Sequence, residues 1–285
     1  NEMLLNDINI RDPFILADDG HYYMYGTRGA STWGCGTGFD VYVSDNLESW
    51  SGPHECFARP ADFWADRNFW APEVHKYRGR YYMLASFKSE TACRGTQILV
   101  ADTPMGPFRL HSNGPVTPRD WECLDGTLYV DAQGTPYMVF CHEWLQVHDG
   151  GMCAIQLSDD LTHSVGEATT LFHASEPAWA KQGAKDYVTD GPFIYTTASG
   201  RLIMLWSSSA ADGYCEGLTY SDGDIFGPWK HDERLLFSRD GGHGMLFKTF
   251  DGQLMFVLHQ PNKTPDERPR LIPVCEKDDT LWVKQ

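Results

Sequence analysis

The sequence predicts an all-β fold, a five-bladed β-propeller with four-stranded antiparallel blades around a central channel. Three observations lead there. The first is a repeat: stretches starting at Asp12 (DPFILADDGHYYMYG), Ala71 (APEVHKYRGRYYMLA), Asp125 (DGTLYVDAQGTPYMVF), Asp190 (DGPFIYTTASGRLIMLW) and His243 (HGMLFKTFDGQLMFVL) align on one another. Their starts are 59, 54, 65 and 53 residues apart. Units of this size with several strands each are the mark of a propeller. The second is another element at nearly the same period, a Ser/Ala-Asp pair at 44–45, 101–102, 158–159 and 221–222. The third is the scarcity of helical periodicity. Apolar runs are short, rich in aromatic and β-branched residues, and broken by Gly, Asp and Pro.

Each copy reads as an inner strand, a tight turn and a second strand. The turns carry Gly20, Gly79, Gly134, Gly200 and Gly252, which supply the positive φ of a short hairpin. The Ser/Ala-Asp pair closes a third strand, and an outer strand follows. The last copy ends more loosely in RPRLIPVCEKDDTLWV (268–283), and 175–187 reads as a surface insertion before blade four. Repeats that run nearly end to end make 1–285 a single propeller domain.

The formal charge of −16 excludes nucleic acid and anionic membrane as natural partners, since both require basic surface. A neutral ligand suits it better. The eight cysteines are scattered without a CxxC pair, which points to free thiols rather than a zinc site. No segment approaches the length of a membrane helix. No leader peptide is read at the Asn1 end, and the compartment, cytoplasmic or exported, stays open.

The inner strand of a blade lines the channel, so the residues opening the five copies meet at one mouth. Asp12, Asp125, Asp190 and His243 form that column. A strand-opening Asp or His also serves as a turn former, but the Ala71 copy has no such side chain, so the column reads as a site. Carboxylates crowded at a narrow opening raise one another's pKa. One protonated acid beside one ionised base is the pair that glycoside hydrolysis uses. Spacing alone leaves open which acid takes which role.

The pieces Arg-Asp-Pro-Phe (11–14), Trp-Ala-Pro-Glu (70–73), Leu-Asp-Gly-Thr (124–127), Asp-Gly-Pro-Phe-Ile-Tyr (190–195) and Gly-His-Gly (242–244) together resemble glycoside hydrolase family 43. That resemblance implies hydrolysis, with inversion, of terminal pentoses in plant-type oligosaccharides or polysaccharides. It implies α-L-arabinofuranosides first and β-D-xylosides as the alternative. It casts Asp12 as the general base, Asp125 as the carboxylate that tunes and orients the acid, and Asp190 as the general acid. The chemistry requires no cofactor, but the resemblance implies a calcium ion in the channel at His243. The family usually has Glu where this chain has Asp190, which leaves Glu216 or Glu176 as other acids and a non-hydrolytic carbohydrate-binding propeller as a rival reading.

Candidate substrate-binding residues are Trp70, which directly precedes the blade-two column, with Phe39 and Trp206 near strand ends. Trp33 and Trp144 are further aromatic candidates, and His142 and Glu143 could reach the site from the top loops. Arg268 and Arg270 are candidates for an arginine directed at the substrate; in an extended segment they share one face.

Overall fold

The computed structural model describes residues 2–284 and contains five antiparallel sheets, one per repeat. Their inner strands are Ile10–Asp18, Arg67–Tyr77, Cys123–Val130, Asp190–Thr196 and Gly242–Lys248. In each sheet the strands follow one another outward in chain order. Blade one gains a fifth strand, Glu2–Met3, paired with Trp50 and Ser51 on its outer edge. Blade five is completed by its own last strand, Thr280–Val283, so no strand is exchanged to close the ring.

Side-chain packing closes it instead. Five buried clusters exist, and each lies between two neighbouring blades. The second strand of blade three, Pro136–His142, shows why its sequence is continuously apolar. Met138 and Phe140 pack toward blade two, whereas Val139 and Cys141 pack toward blade four. Side chains alternate along a strand, and a blade buried on both faces has no polar side to offer. Between blades five and one, Ile8, Ile10 and Met24 meet Met245 and Val257. Polar bonds reinforce this seam: Asn9 Nδ2 donates to the Glu267 carbonyl at 3.0 Å, and Arg11 Nη1 donates to Glu267 Oε2 at 2.9 Å.

The five hairpin glycines all have positive φ, between 79° and 93°. The only α-helix among the described residues is a single turn, Trp144–Val147, on the loop after the second strand of blade three. All eight cysteines are free thiols. No helix among the described residues is long and apolar enough to cross a membrane.

Every inner strand breaks register with its neighbour at the same place. The breaks fall between Arg11 and Phe14, Trp70 and Glu73, Leu124 and Thr127, Asp190 and Phe193, and Gly242 and Met245. At each bulge one residue takes positive φ: Asp12 (56°), Ala71 (50°), Asp125 (61°), Gly191 (51°) and His243 (50°). Strained backbone of this kind persists only where its surroundings hold it, and bulges re-aim side chains.

This register corrects the expected column at one position. In blade four the column residue is Gly191, and Asp190 stands one residue ahead of it, level with Arg11, Trp70, Leu124 and Gly242. Glycine is required there for space as well as for φ. A Cβ on Gly191 would lie 2.6 Å from His243 Cδ2.

Candidate active site

The bulges open into a cavity of about 300 Å³ at one end of the channel. Asp12, Asp125, Asp190 and His243 all line it, together with Trp70 and Glu143.

A second ring holds the first. The backbone N–H of each bulge residue is turned out of its own sheet and needs an acceptor. Thr27 Oγ1 accepts from Ala71 N at 2.8 Å, Ser86 Oγ from Asp125 N at 2.9 Å, and Ser207 Oγ from His243 N at 2.7 Å. His259 Nδ1 accepts from Asp12 N at 3.0 Å. These acceptors occupy one position in the second strand of successive blades, each reaching the next blade. Blade three has Cys141 there, and the Gly191 N–H instead donates to the Asp125 carboxylate at 3.0 Å.

His259 is thereby fixed in one tautomer. Its Nδ1 is a bare acceptor, so the proton sits on Nε2 and faces Asn262 Oδ1 at 2.9 Å. Arg11 Nη2 donates to the same Oδ1 at 2.7 Å. Burial holds the His259 ring neutral, pushing its pKa down to about 4. The backbone of Asp12 is thus tied through His259 and Asn262 to Arg11, its own neighbour.

The acidic groups differ sharply in environment. Asp12 Oδ2 accepts from Thr27 Oγ1 at 2.6 Å, and Oδ1 faces His243 Nδ1 at 2.9 Å. Burial alone would raise the Asp12 pKa, but His243, followed by His259 and Arg11, outweighs it and holds the carboxyl well below its usual range. His243 shows the reciprocal effect. Burial disfavours its charge, yet Asp12 and then Asp125 push it up to about 10. Asp12 is therefore an ionised carboxylate paired with an imidazolium.

The other carboxyls of the cavity lean toward their protonated forms, although Asp125 Oδ2 lies 3.8 Å from His243 Nδ1. Burial, only partly opposed by His243, pushes Asp125 up to about 6. Burial and the Asp125 charge push Asp190 up to about 7, while the Tyr214 hydroxyl donates to Asp190 Oδ2 at 2.8 Å. Glu143 is also pushed up to about 7, by burial against the pull of Arg94. The site thus combines one ionised carboxylate with neighbouring carboxyls that share protons near neutral pH.

An aromatic wall stands beside them. Trp70 donates its indole N–H to the Thr32 carbonyl at 2.7 Å and meets Trp33 edge-on at 5.4 Å. The Arg94 guanidinium lies over the Trp70 ring at 3.7 Å, which fixes the ring from behind. Trp33 is 61% exposed at the rim.

Other expected substrate contacts are not at the cavity. Phe39 is fully buried with Phe57, Phe69 and Phe87 between blades one and two. Trp206 is fully buried between blades three and four, its indole N–H bonded to Thr219 Oγ1 at 2.9 Å. Both lie on the blade-facing side of their strands and belong to the core. Arg268 bonds the Asn6 carbonyl at 2.9 Å, and Arg270 is bonded to Gln260, both on the third strand of blade five away from the cavity. The arginine lining the cavity is Arg11. The two alternative acids are also elsewhere. Glu176 pairs with His231 at 3.3 Å, and Glu216 is buried against Ser207 and the Gly244 N–H.

Among the described residues the side chains around His243 do not by themselves make a calcium shell, so an ion there would take most of its ligands from water. Calcium takes six to eight oxygen ligands. Beneath His243 the channel narrows to a cavity of about 10 Å³, whose walls include Phe14, Phe193 and Met245. Two carboxylates line it: Asp12, paired with His243 Nδ1 at 2.9 Å, and Glu73, which faces His75 Nε2 at 2.9 Å. No group of three or more His, Cys, Asp or Glu side chains among the described residues is set to hold a metal.

The chain can now be set beside known proteins. An endo-arabinase from Bacteroides thetaiotaomicron VPI-5482 superposes with a TM-score of 0.89 at 40% identity, covering 97% of this chain and 98% of that one. An extracellular endo-alpha-(1->5)-L-arabinanase 1 of Bacillus subtilis is 24% identical over 148 residues, 47% of this chain and 44% of the relative. Alpha-L-arabinofuranosidase 43 of Humicola insolens is 24% identical over 237 residues, 74% of this chain and 48% of the relative. The chain thus spans about half the length of these curated relatives. The sequence model of glycosyl hydrolases family 43 matches residues 7–279, and the chain belongs to that family.

Proposed function

We propose that the protein hydrolyses α-L-arabinofuranosidic linkages of arabinan-type glycans with inversion at the anomeric carbon. The observation that carries the chemistry is the split in protonation across one cavity. His243, 2.9 Å from Asp12, favours the charged form of that carboxyl, while burial in the same cavity favours the protonated form of Asp190. Asp12 is the general base that draws a proton from the attacking water. The leaving oxygen takes its proton from the other carboxyls of the cavity, Asp190 among them, with Asp125 beside His243. Such a pair acts by inversion when about 6.5–9.5 Å separates the two carboxyls, leaving room for the water. The likeness to the Bacteroides endo-arabinase, 40% over nearly the whole chain, supports arabinan as the substrate class. Trp70 and Trp33 supply apolar faces for the sugar ring.

The test is a rate comparison on aryl α-L-arabinofuranoside, aryl β-D-xyloside and linear α-1,5-arabino-oligosaccharides, with Asp12→Asn as the blank. Turnover of the arabinose substrates, lost in the variant, is expected. Preferential turnover of the xyloside would overturn the assignment of the glycone. Sugar affinity without turnover of any substrate would overturn hydrolysis itself.

A further inference from the structure

We infer that Glu143 delivers the proton to the leaving-group oxygen, with Asp190 acting as a positioning residue beside it. The inference rests on the hydrolytic reading above and reassigns one role within it.

Four carboxyl groups line the cavity, and three of them are tied to the protein by hydrogen bonds. Asp12 accepts from Thr27, Asp125 from the Gly191 N–H, and Asp190 from the Tyr214 hydroxyl at 2.8 Å. A phenol that donates to a carboxylate favours its charged form and fixes its orientation. Glu143 is different. It is only 5% exposed, it lines the cavity, and its carboxyl accepts no hydrogen bond from any described residue. Its nearest ionic partner, Arg94 Nε, is 3.6 Å from Oε1, beyond hydrogen-bond range. That guanidinium is committed elsewhere, to the Asn68 carbonyl at 2.9 Å and the face of Trp70.

A buried carboxyl with a cation nearby but no hydrogen bond from the protein, open on a substrate cavity, is set to find its hydrogen-bond partner in the substrate. Its backbone is firmly held. The Glu143 N–H donates to the Glu122 carbonyl at 2.8 Å, and the helical turn Trp144–Val147 starts directly after it. The charged groups around it are Arg94, Asp190, Glu122 and Lys88; burial, the largest influence, favours the protonated form that an acid needs. Its side chain is also one methylene longer than that of Asp190, which lets it reach further across the opening.

The step balances as follows. The O–H bond of the Glu143 carboxyl breaks, and its proton goes to the glycosidic oxygen. The bond from the anomeric carbon to that oxygen breaks, and the electron pair leaves with the oxygen. Water forms the new bond to the anomeric carbon and gives its proton to Asp12. Solvent then returns a proton to Glu143 and removes one from Asp12.

The experiment compares Glu143→Gln and Asp190→Asn on two substrates, a linear arabino-oligosaccharide and 2,4-dinitrophenyl α-L-arabinofuranoside. The dinitrophenolate leaves without protonation. An acid contributes about 10²–10⁴-fold. Glu143→Gln should therefore lose about 100-fold or more on the oligosaccharide relative to its loss on the aryl substrate, and Asp190→Asn should lose similarly on both. Equal losses for Glu143→Gln on the two substrates would overturn the inference, as would a leaving-group-selective loss in Asp190→Asn alone. Thermal melts of both variants check folding. Wild-type turnover of the same two substrates separates failure of this inference from failure of the hydrolytic reading.

Discussion

Replacing His243 by Asn removes the charge that keeps Asp12 ionised. Asn is suited to the position, because its backbone has φ of 50° and Asn tolerates the left-handed region. His243 Nδ1 lies 2.9 Å from Asp12 Oδ1, and both side chains are about 10% exposed. At an effective dielectric of about 20, unit charges at that distance attract by about 6 kcal/mol. At about 1.4 kcal/mol per pH unit, this bounds the effect on the Asp12 pKa at about 4 pH units. Solvent entering the space left by the ring keeps the effect below that bound. The sign follows from the causes at Asp12. Burial raises its pKa, and the imidazolium outweighs burial. Without the imidazolium, burial dominates, the base takes up a proton at a higher pH, and activity fails on the acid side. The assay is kcat/KM for an aryl α-L-arabinofuranoside between pH 3.5 and 8, within the range where circular dichroism shows both proteins folded. In this window the wild type should show no acid limb from Asp12, whereas the variant, with burial dominating, should show one. An acid-side profile that superimposes on the wild type, with only a uniform drop in rate, would refute the pairing as the source of the Asp12 charge.

Other predictions follow the same geometry. Thr27→Val removes a hydroxyl that serves both Asp12 Oδ2 and the Ala71 N–H, and should cost about 1.5–3 kcal/mol in denaturant unfolding, because one partner is charged and the other buried. Arg94→Met takes the cation from behind Trp70 and should raise KM several-fold with a smaller change in kcat, measured on arabino-oligosaccharides; an unchanged KM would remove Trp70 from the substrate wall. Chelation with EDTA should leave the rate unchanged, since no group of three or more His, Cys, Asp or Glu side chains among the described residues is set to hold a metal. A loss restored by calcium would put the ion at that site.

The fold was legible because each blade carries its own signature in the chain. A glycine turn and two apolar strands recur at one period, and burial on both faces makes the strands continuously apolar. The column of acids and His243 was legible except for its register in blade four. Aligning by side chain places Asp190 in the column, whereas the backbone aligns by the bulge. Pro or Gly directly follows the bulge residue in every blade (Pro13, Pro72, Gly126, Pro192 and Gly244), which puts Gly191 in the column. The second ring of Thr27, Ser86, Ser207 and His259 also had a signal, a polar residue at one position of each second strand, interrupted only at Cys141.

Tertiary packing decided the rest. Phe39 and Trp206 lie near strand ends in the chain, but the face of the strand, which period-2 alternation sets blade by blade, sends both into the core. Arg94 comes from an irregular loop, and nothing local links it to Trp70. Tyr214 reaches Asp190 from the third strand of the same blade, a contact that depends on the blade's curvature rather than on spacing.

The most direct test of the account is the anomeric configuration of the sugar first released from an α-L-arabinofuranoside, followed by proton NMR before mutarotation. A base that activates water across the cavity from the acid predicts β-L-arabinofuranose as the initial product. Initial release of the α-anomer would mean that a carboxylate attacks the sugar directly, and would contradict the role given to Asp12.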